Sequence, residues 1–294
     1  MRGLPPMVTD GPGLWTQERR RANQPDTLVL LGLSRIQYGF DLTRARERLT
    51  DLDPVMLAIT GSSVRPVLRD LAEDKDFRGV VLFSSWPDMM APSPWEDLAE
   101  EWVRYAHHET WDQALNQRAR TFAQSHFVLS GYLTSPRHLW VNAVGRGRLP
   151  GLPYISTSPE RGGRLDSTLL TNLETIRFKI ADDLLATPWP WSPETWLAAT
   201  EDLQGWADAI EARGGRVLFA RLPTAGRMRA VEADRFPRPD YWDRFAAEVS
   251  QPTWHFEDQA QTWVIPDGSH VEGEGRMRLT DALVEFVERH RSAK

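Results

Sequence analysis

Three apolar runs, each closed by a turn, constrain this chain more than any other feature. They are "TLVLLGL" from Thr27 to Leu33, "VMLAIT" from Val55 to Thr60 and "GVVLF" from Gly79 to Phe83. They are continuous rather than alternating, as strands buried on both faces are. Helical patterns lie between them, over Asp41–Leu49 and over Val64–Glu73, where Leu68 and Leu71 share a face. Strands alternating with helices specify a parallel sheet with crossover helices. The expectation is a three-layer α/β domain of flavodoxin-like order. Residues 1–25 read as an irregular lead-in with one short helix at Trp15–Arg21, and 26–294 as a single domain.

The regularity lapses after the third run. From Ser84 to about Trp191 the chain is long, aromatic and mostly helical in pattern, with a loop-like middle at "VGRGRLPGLPYISTSPERGG". A structureless connection of that length is improbable in a domain, so it reads as a helical insertion between strands 3 and 4. Ser192-Pro193 opens a helix with a serine cap and a proline at its first position. That helix runs to Arg213 and stops at Gly214-Gly215. "RVLFARLP" (Arg216–Pro223) is strand four, Pro237–Val249 a further helix, "TWHFED" a short fifth strand and Leu279–His290 the closing helix.

Several functions are disfavoured at once. The chain has no cysteine, which removes disulfides, thiolate nucleophiles and cysteine-ligated metals. A net charge of −6 is the wrong sign for a nucleic-acid partner. The arginine runs at Glu18–Arg21 and at Arg44, Arg46 and Arg48 are interleaved with acids and read as solvated helix faces. His107 and His108 are adjacent, about 100° apart on a helix, and with His126 they form no metal-ligand spacing, so no metal is expected. Gly145, Gly147 and Gly151 do not follow a strand and are not spaced as a phosphate loop. No cofactor is expected. No apolar run approaches the roughly 20 residues that span a bilayer, and "MRGLPPMVTDGPG" lacks the apolar centre of a signal peptide. The 13 tryptophans, concentrated at Trp86–Trp111 and in "TPWPWSPETW", serve either as wedges against a core or as a binding surface.

In open parallel sheets the ligand site lies at the carboxyl ends of the strands. Ser34 follows strand one there, Gly61-Ser62-Ser63 strand two, Ser84-Ser85 strand three, and Asp267 and His270 the fifth strand. Ser34 has two readings: a helix cap, or a nucleophile served by a base. His270 is the candidate base and Asp267, three residues before it, the carboxylate that orients an imidazole. The amides of Ser34 and Gly61, at strand-to-helix turns, are candidate oxyanion donors. Asp258 is either a further orienting acid or a solvated one.

These segments carry a resemblance. "LVLLGLSRIQYGFD" resembles the first block of the SGNH (GDSL-type) hydrolase superfamily, in its Gly-x-Ser-Arg branch. "AITGSS" resembles the second block, with Gly61 as oxyanion glycine, and "PDGSHVEGEG" the last, Asp-x-x-His. The departures are Leu33, where the family has aspartate, and "SSWPDM", where the third block would supply an asparagine. Ser85, through its hydroxyl or an amide there, is the substitute third donor; Asn142 and Asn172 lie deep in the insertion. The resemblance implies a serine esterase or O-acyltransferase acting on an acyl ester, an O-acetylated carbohydrate first. Ser34, His270 and Asp267 form its triad, and Arg35 and Trp86 stand where they can touch substrate. Arg35 has a second use, pairing with a carboxylate near the turn. The missing asparagine motivates the alternative of an inactive relative that binds a glycan or protein through the tryptophan-rich insertion. "VTDGPGLWTQERRRA" resembles the lead-in of the family's membrane-tethered members, which implies an extracytoplasmic location; cytoplasmic is the alternative.

Overall fold

The computed structural model describes residues 7–127, 135–136, 140–141, 144, 153–170, 172–186 and 188–291. Its centre is a sheet of five parallel strands: β1 (Thr27–Gly32), β2 (Asp53–Met56), β3 (Val80–Ser84), β6 (Arg216–Arg221) and β7 (Thr253–His255). Their spatial order is β2-β1-β3-β6-β7, the flavodoxin-like order, which reverses between β1 and β3. Val29 pairs with Val55 on one side and Val81 on the other, and Val81 with Val217.

Helices cover both faces, which is why the runs are apolar throughout. Val29, Leu31, Val81, Phe83, Val217 and Phe219 point into one core. Leu28, Leu30, Leu82 and Leu218 point into the other, against Leu279, Leu283 and Val287 of the closing helix Glu274–His290. That helix starts five residues before the periodic pattern does, because its first turn is mostly exposed and has no apolar stripe.

The lead-in differs from expectation. Helix α1 (Pro12–Arg21) begins at Pro12, and Trp15 is fully buried, its indole N–H donating to the Leu57 carbonyl at 3.1 Å. Its arginine run is not a solvated face either. Glu18 and Arg19 are buried, and Arg19 pairs with Asp70 at 2.6 Å and Asp74 at 2.8 Å. Arg44 and Arg48 both reach Asp281.

The connection between β3 and β6 holds α5 (Pro87–Met90), α6 (Asp97–His108), α7 (Trp111–His126) and helices Leu173–Ala186, Pro193–Ala199 and Glu201–Glu211. The last two replace one expected helix; the chain breaks at Thr200, whose hydroxyl donates to the Leu197 carbonyl at 2.7 Å. The insertion also contains an antiparallel pair, β4 (Ile155–Thr157) and β5 (Gly163–Leu165), too short for any periodicity to announce. Helix Gly226–Arg235 was not foreseen, the helix expected from Pro237 begins at Trp242, and the tail of "TWHFED" is a 3-10 turn. Among the described residues no helix is long and apolar enough to cross a membrane.

Candidate active site

Gly32 ends β1 with φ +151°, a conformation that favours glycine, and a Cβ there would lie 2.4 Å from the Ser84 carbonyl oxygen. The close approach of β1 to β3 therefore depends on a bare backbone. One residue later the chain turns into α2 (Ser34–Gly39), with Leu33 as N-cap and no side-chain cap. Ser34 is thus the first helical residue, and its hydroxyl is not used as a cap. The hydroxyl lies 2.8 Å from His270 Nε2.

Asp267 holds that imidazole. Its Oδ1 accepts from the amides of Ser269 (2.9 Å) and His270 (2.7 Å), and its Oδ2 lies 2.6 Å from His270 Nδ1. A carboxylate only accepts, so Nδ1 carries the proton and Nε2 is left with its lone pair facing Ser34. Ser34 therefore donates to His270. Burial alone would raise the Asp267 carboxyl, but the His270 contact and the two amides hold it below the usual range. The edge of the Tyr38 ring lies against the imidazole, centroids 5.6 Å apart.

A cavity of about 240 Å³ opens beside Ser34, with Gly61, Ser85, Trp86, Met89 and Trp95 among its walls. Gly61 adopts φ +77° with open space where a Cβ would stand, so glycine is required there for its backbone angle and not for room. Neither the Ser34 amide, at a helix start, nor the Gly61 amide donates to a carbonyl among the described residues. Ser62 and Ser63 serve structure: their hydroxyls donate to the carbonyls of Trp95 (2.7 Å) and Met89 (2.9 Å), tying the insertion to the β2 turn. The Ser85 amide, one form of the expected third donor, is taken by the Ala220 carbonyl at 3.3 Å. Its hydroxyl has only a long contact, 3.4 Å to the Trp86 carbonyl, and is the form that remains.

Two guanidiniums stand on either side of the Ser34 turn, Arg35 largely buried at the cavity and Arg161 fully buried behind Gln37. Arg35 donates through Nη2 to Glu232 (2.6 Å) and through Nε to the Ser269 hydroxyl (3.2 Å), and its plane lies 4.0 Å over the Trp86 ring. Arg221 and Thr224 also donate to Glu232. Burial pulls Arg35 down to about 10, and the nearby Arg221 charge adds to this against the attraction of Glu232; it stays charged at neutral pH. On the other flank Arg161, fully buried, takes both oxygens of Asp10 at 2.7 and 2.9 Å and donates to the carbonyls of Met56 (2.9 Å) and Ala58 (2.8 Å). Gln37 continues this network. It donates to Asp10 at 2.9 Å and accepts from the Thr60 hydroxyl at 2.7 Å, next to Gly61.

Glu232, Asp10 and Arg161 were not singled out from the sequence. Glu232 sits in "AVEADR", which looks like a solvated helix face, and nothing local marks it. Asp258 pairs with Arg238 at the surface. His107 bonds Asp70 at 2.6 Å. Asn172 is exposed and does not line the cavity; Asn142, Gly145, Gly147 and Gly151 lie outside the described residues. Trp189 packs on Phe236 (centroids 4.5 Å apart) and Trp196 is fully buried, its indole donating to the Pro87 carbonyl. The late tryptophans are core wedges, whereas Trp86 and Trp95 face the cavity. No protein-family model matches this chain, and no curated protein matches it.

Proposed function

We propose that this chain is a serine-dependent acyl hydrolase or acyltransferase of the SGNH type, acting on an O-acyl ester, with an O-acetylated carbohydrate as the first substrate to try. One observation carries the reading: a continuous hydrogen-bonded line from Asp267 through His270 to Ser34, 2.6 Å and then 2.8 Å, opening on a cavity.

His270 Nε2 takes the Ser34 proton as Oγ attacks the ester carbon. The imidazolium that forms is stabilised by Asp267, which stays ionised at neutral pH. The oxyanion of the tetrahedral intermediate is held by the Ser34 and Gly61 amides and the Ser85 hydroxyl. His270 then protonates the leaving alcohol, and the acyl group remains on Ser34. Water or an acceptor hydroxyl, deprotonated by the same imidazole, releases it and returns the proton to Ser34. Removing one oxyanion donor typically costs on the order of 10²–10³ in rate, so a site lacking the family's asparagine is expected to be slow or narrow in scope.

A fluorophosphonate probe tests this directly. Wild-type protein is expected to be labelled once, at Ser34, and Ser34→Ala to lose both the label and at least about 10³-fold of ester turnover. Undiminished labelling of Ser34→Ala would overturn the assignment.

A further inference from the structure

Two guanidiniums at the catalytic cavity share one carboxylate. Arg35 and Arg221 both line it, and both donate to Glu232, which is itself buried. The other acid at the site, Asp267, is already held by the imidazole and two backbone amides. A buried charge without a counter-charge is costly, and evolution removes it unless something compensates it.

The free donors point the same way. Arg35 uses Nε and Nη2 within the protein, while Nη1, with two N–H groups, has no acceptor among the described residues. The Trp86 indole N–H, on the ring that covers Arg35, is buried and also has no acceptor there. Leu33, Met89, Trp95 and Leu222 make much of the remaining wall apolar, although Thr60, Ser84, Ser85 and Ser269 also line it. In such surroundings a charge-assisted hydrogen bond is strong; a neutral oxygen could accept from these donors but would leave the guanidinium charge uncompensated.

We propose that the substrate is an anionic ester, carrying a carboxylate that Arg35 binds while Ser34 attacks the ester carbon. This rests on the serine-ester reading of the site. Arg35 acts as a specificity-determining residue, its planar fork held in place by Glu232, Ser269 and the Trp86 ring. Arg221 keeps Glu232 ionised and prevents it from neutralising Arg35 fully.

The test compares charged and neutral esters of matched size. Mono-4-nitrophenyl glutarate against 4-nitrophenyl pentanoate places the charge on the acyl side. 4-Acetoxybenzoate against 4-acetoxybenzamide places it on the alcohol side. In one of these pairs the anionic member is expected to be favoured at least about tenfold in kcat/KM, about 1.4 kcal/mol. Arg35→Met is expected to bring that ratio to near one, and Arg35→Lys to keep part of it. A wild-type ratio near one in both pairs overturns the proposal. So does an equal fall for charged and neutral esters in Arg35→Met, which would make Arg35 an aid to the oxyanion instead.

Binding separates failure of this proposal from failure of the catalytic reading. Monomethyl glutarate against methyl pentanoate, and 4-acetoxybenzoate against 4-acetoxybenzamide, are titrated into Ser34→Ala protein, with binding followed by calorimetry. Saturation by the anionic member alone, lost in the Ser34→Ala, Arg35→Met double variant, supports the proposal even if no ester is turned over. No discrimination within either pair overturns it.

Discussion

The two flanks of Ser34 each bury an arginine, and they use it differently. On the Arg161 side the guanidinium is saturated: both oxygens of Asp10 and two backbone carbonyls of the β2 extension surround it. That side ends in Gln37 and Thr60, which brace the turn carrying Gly61. On the Arg35 side one carboxylate serves two guanidiniums, and an edge of Arg35 has no acceptor among the described residues. A closed network fixes geometry; an open one leaves a charge for a ligand. The same residue type thus braces the turn beside Ser34 on one side and, under the proposal above, offers a charge to a ligand on the other.

The contrast is broken most sharply by Arg161→Met. This leaves Asp10 with Gln37 but without its charged partner, takes the Arg161 donors from two backbone carbonyls, and is expected to cost about 3–5 kcal/mol of stability. Urea unfolding measures it. Arg35→Met leaves Glu232 with Arg221 and Thr224 and should cost less; equal losses at the two positions would erase the distinction.

Acid sensitivity belongs to the open flank. His255, near Arg221, is buried, and burial together with the charges of Arg238, Arg221 and Arg229 pushes its pKa down to about 2. The unfolded chain protonates this histidine near its ordinary value of 6.5, so it binds more protons unfolded than folded. Stability is therefore full above that pH and is lost as pH falls below it. Between pH 6.5 and 5 the expected loss is about 2 kcal/mol. His255→Asn retains an acceptor for the Glu257 amide, now received at 3.1 Å, and should flatten the profile over that interval. A wild-type profile already flat there contradicts this account.

The smallest expected change in stability has a large one in rate beside it. Gly61→Ala meets open space but must hold φ +77°, a strain of about 1–2 kcal/mol. Relief of that strain re-aims the amide, and esterase turnover is expected to fall on the order of 10²-fold, read as kcat with KM little changed.

The Asp267–His270–Ser34 line was legible because its parts fall where short-range pattern can mark them. Ser34 and Gly61 follow strands whose continuity announces a parallel sheet, and Asp267 and His270 are near neighbours. The flanks were not legible. Arg35 and Glu232 are 197 positions apart, and Arg161 and Asp10 are 151 apart. No local pattern distinguishes a buried ion pair from two solvated charges. The same blindness made α1 look like an irregular lead-in with a solvated arginine run. Its tryptophan and Arg19 acquire partners only when strand two and helix α4 (Arg65–Glu73) lie beside them. The Ser85 amide failed as a donor for a related reason, since its acceptor, Ala220, comes from a strand far along the chain.

Gly32 has a consequence for how this protein can change over generations. With the Ser84 oxygen 2.4 Å and an Ile36 methyl 2.8 Å from where a Cβ would go, every replacement there pries the first strand from the third and carries the neighbouring serine out of line. A mutagenesis library should come back with that codon untouched. A newly sequenced chain that aligns here without a glycine is a poor recruit for the same task, however well its serine, histidine and aspartate match.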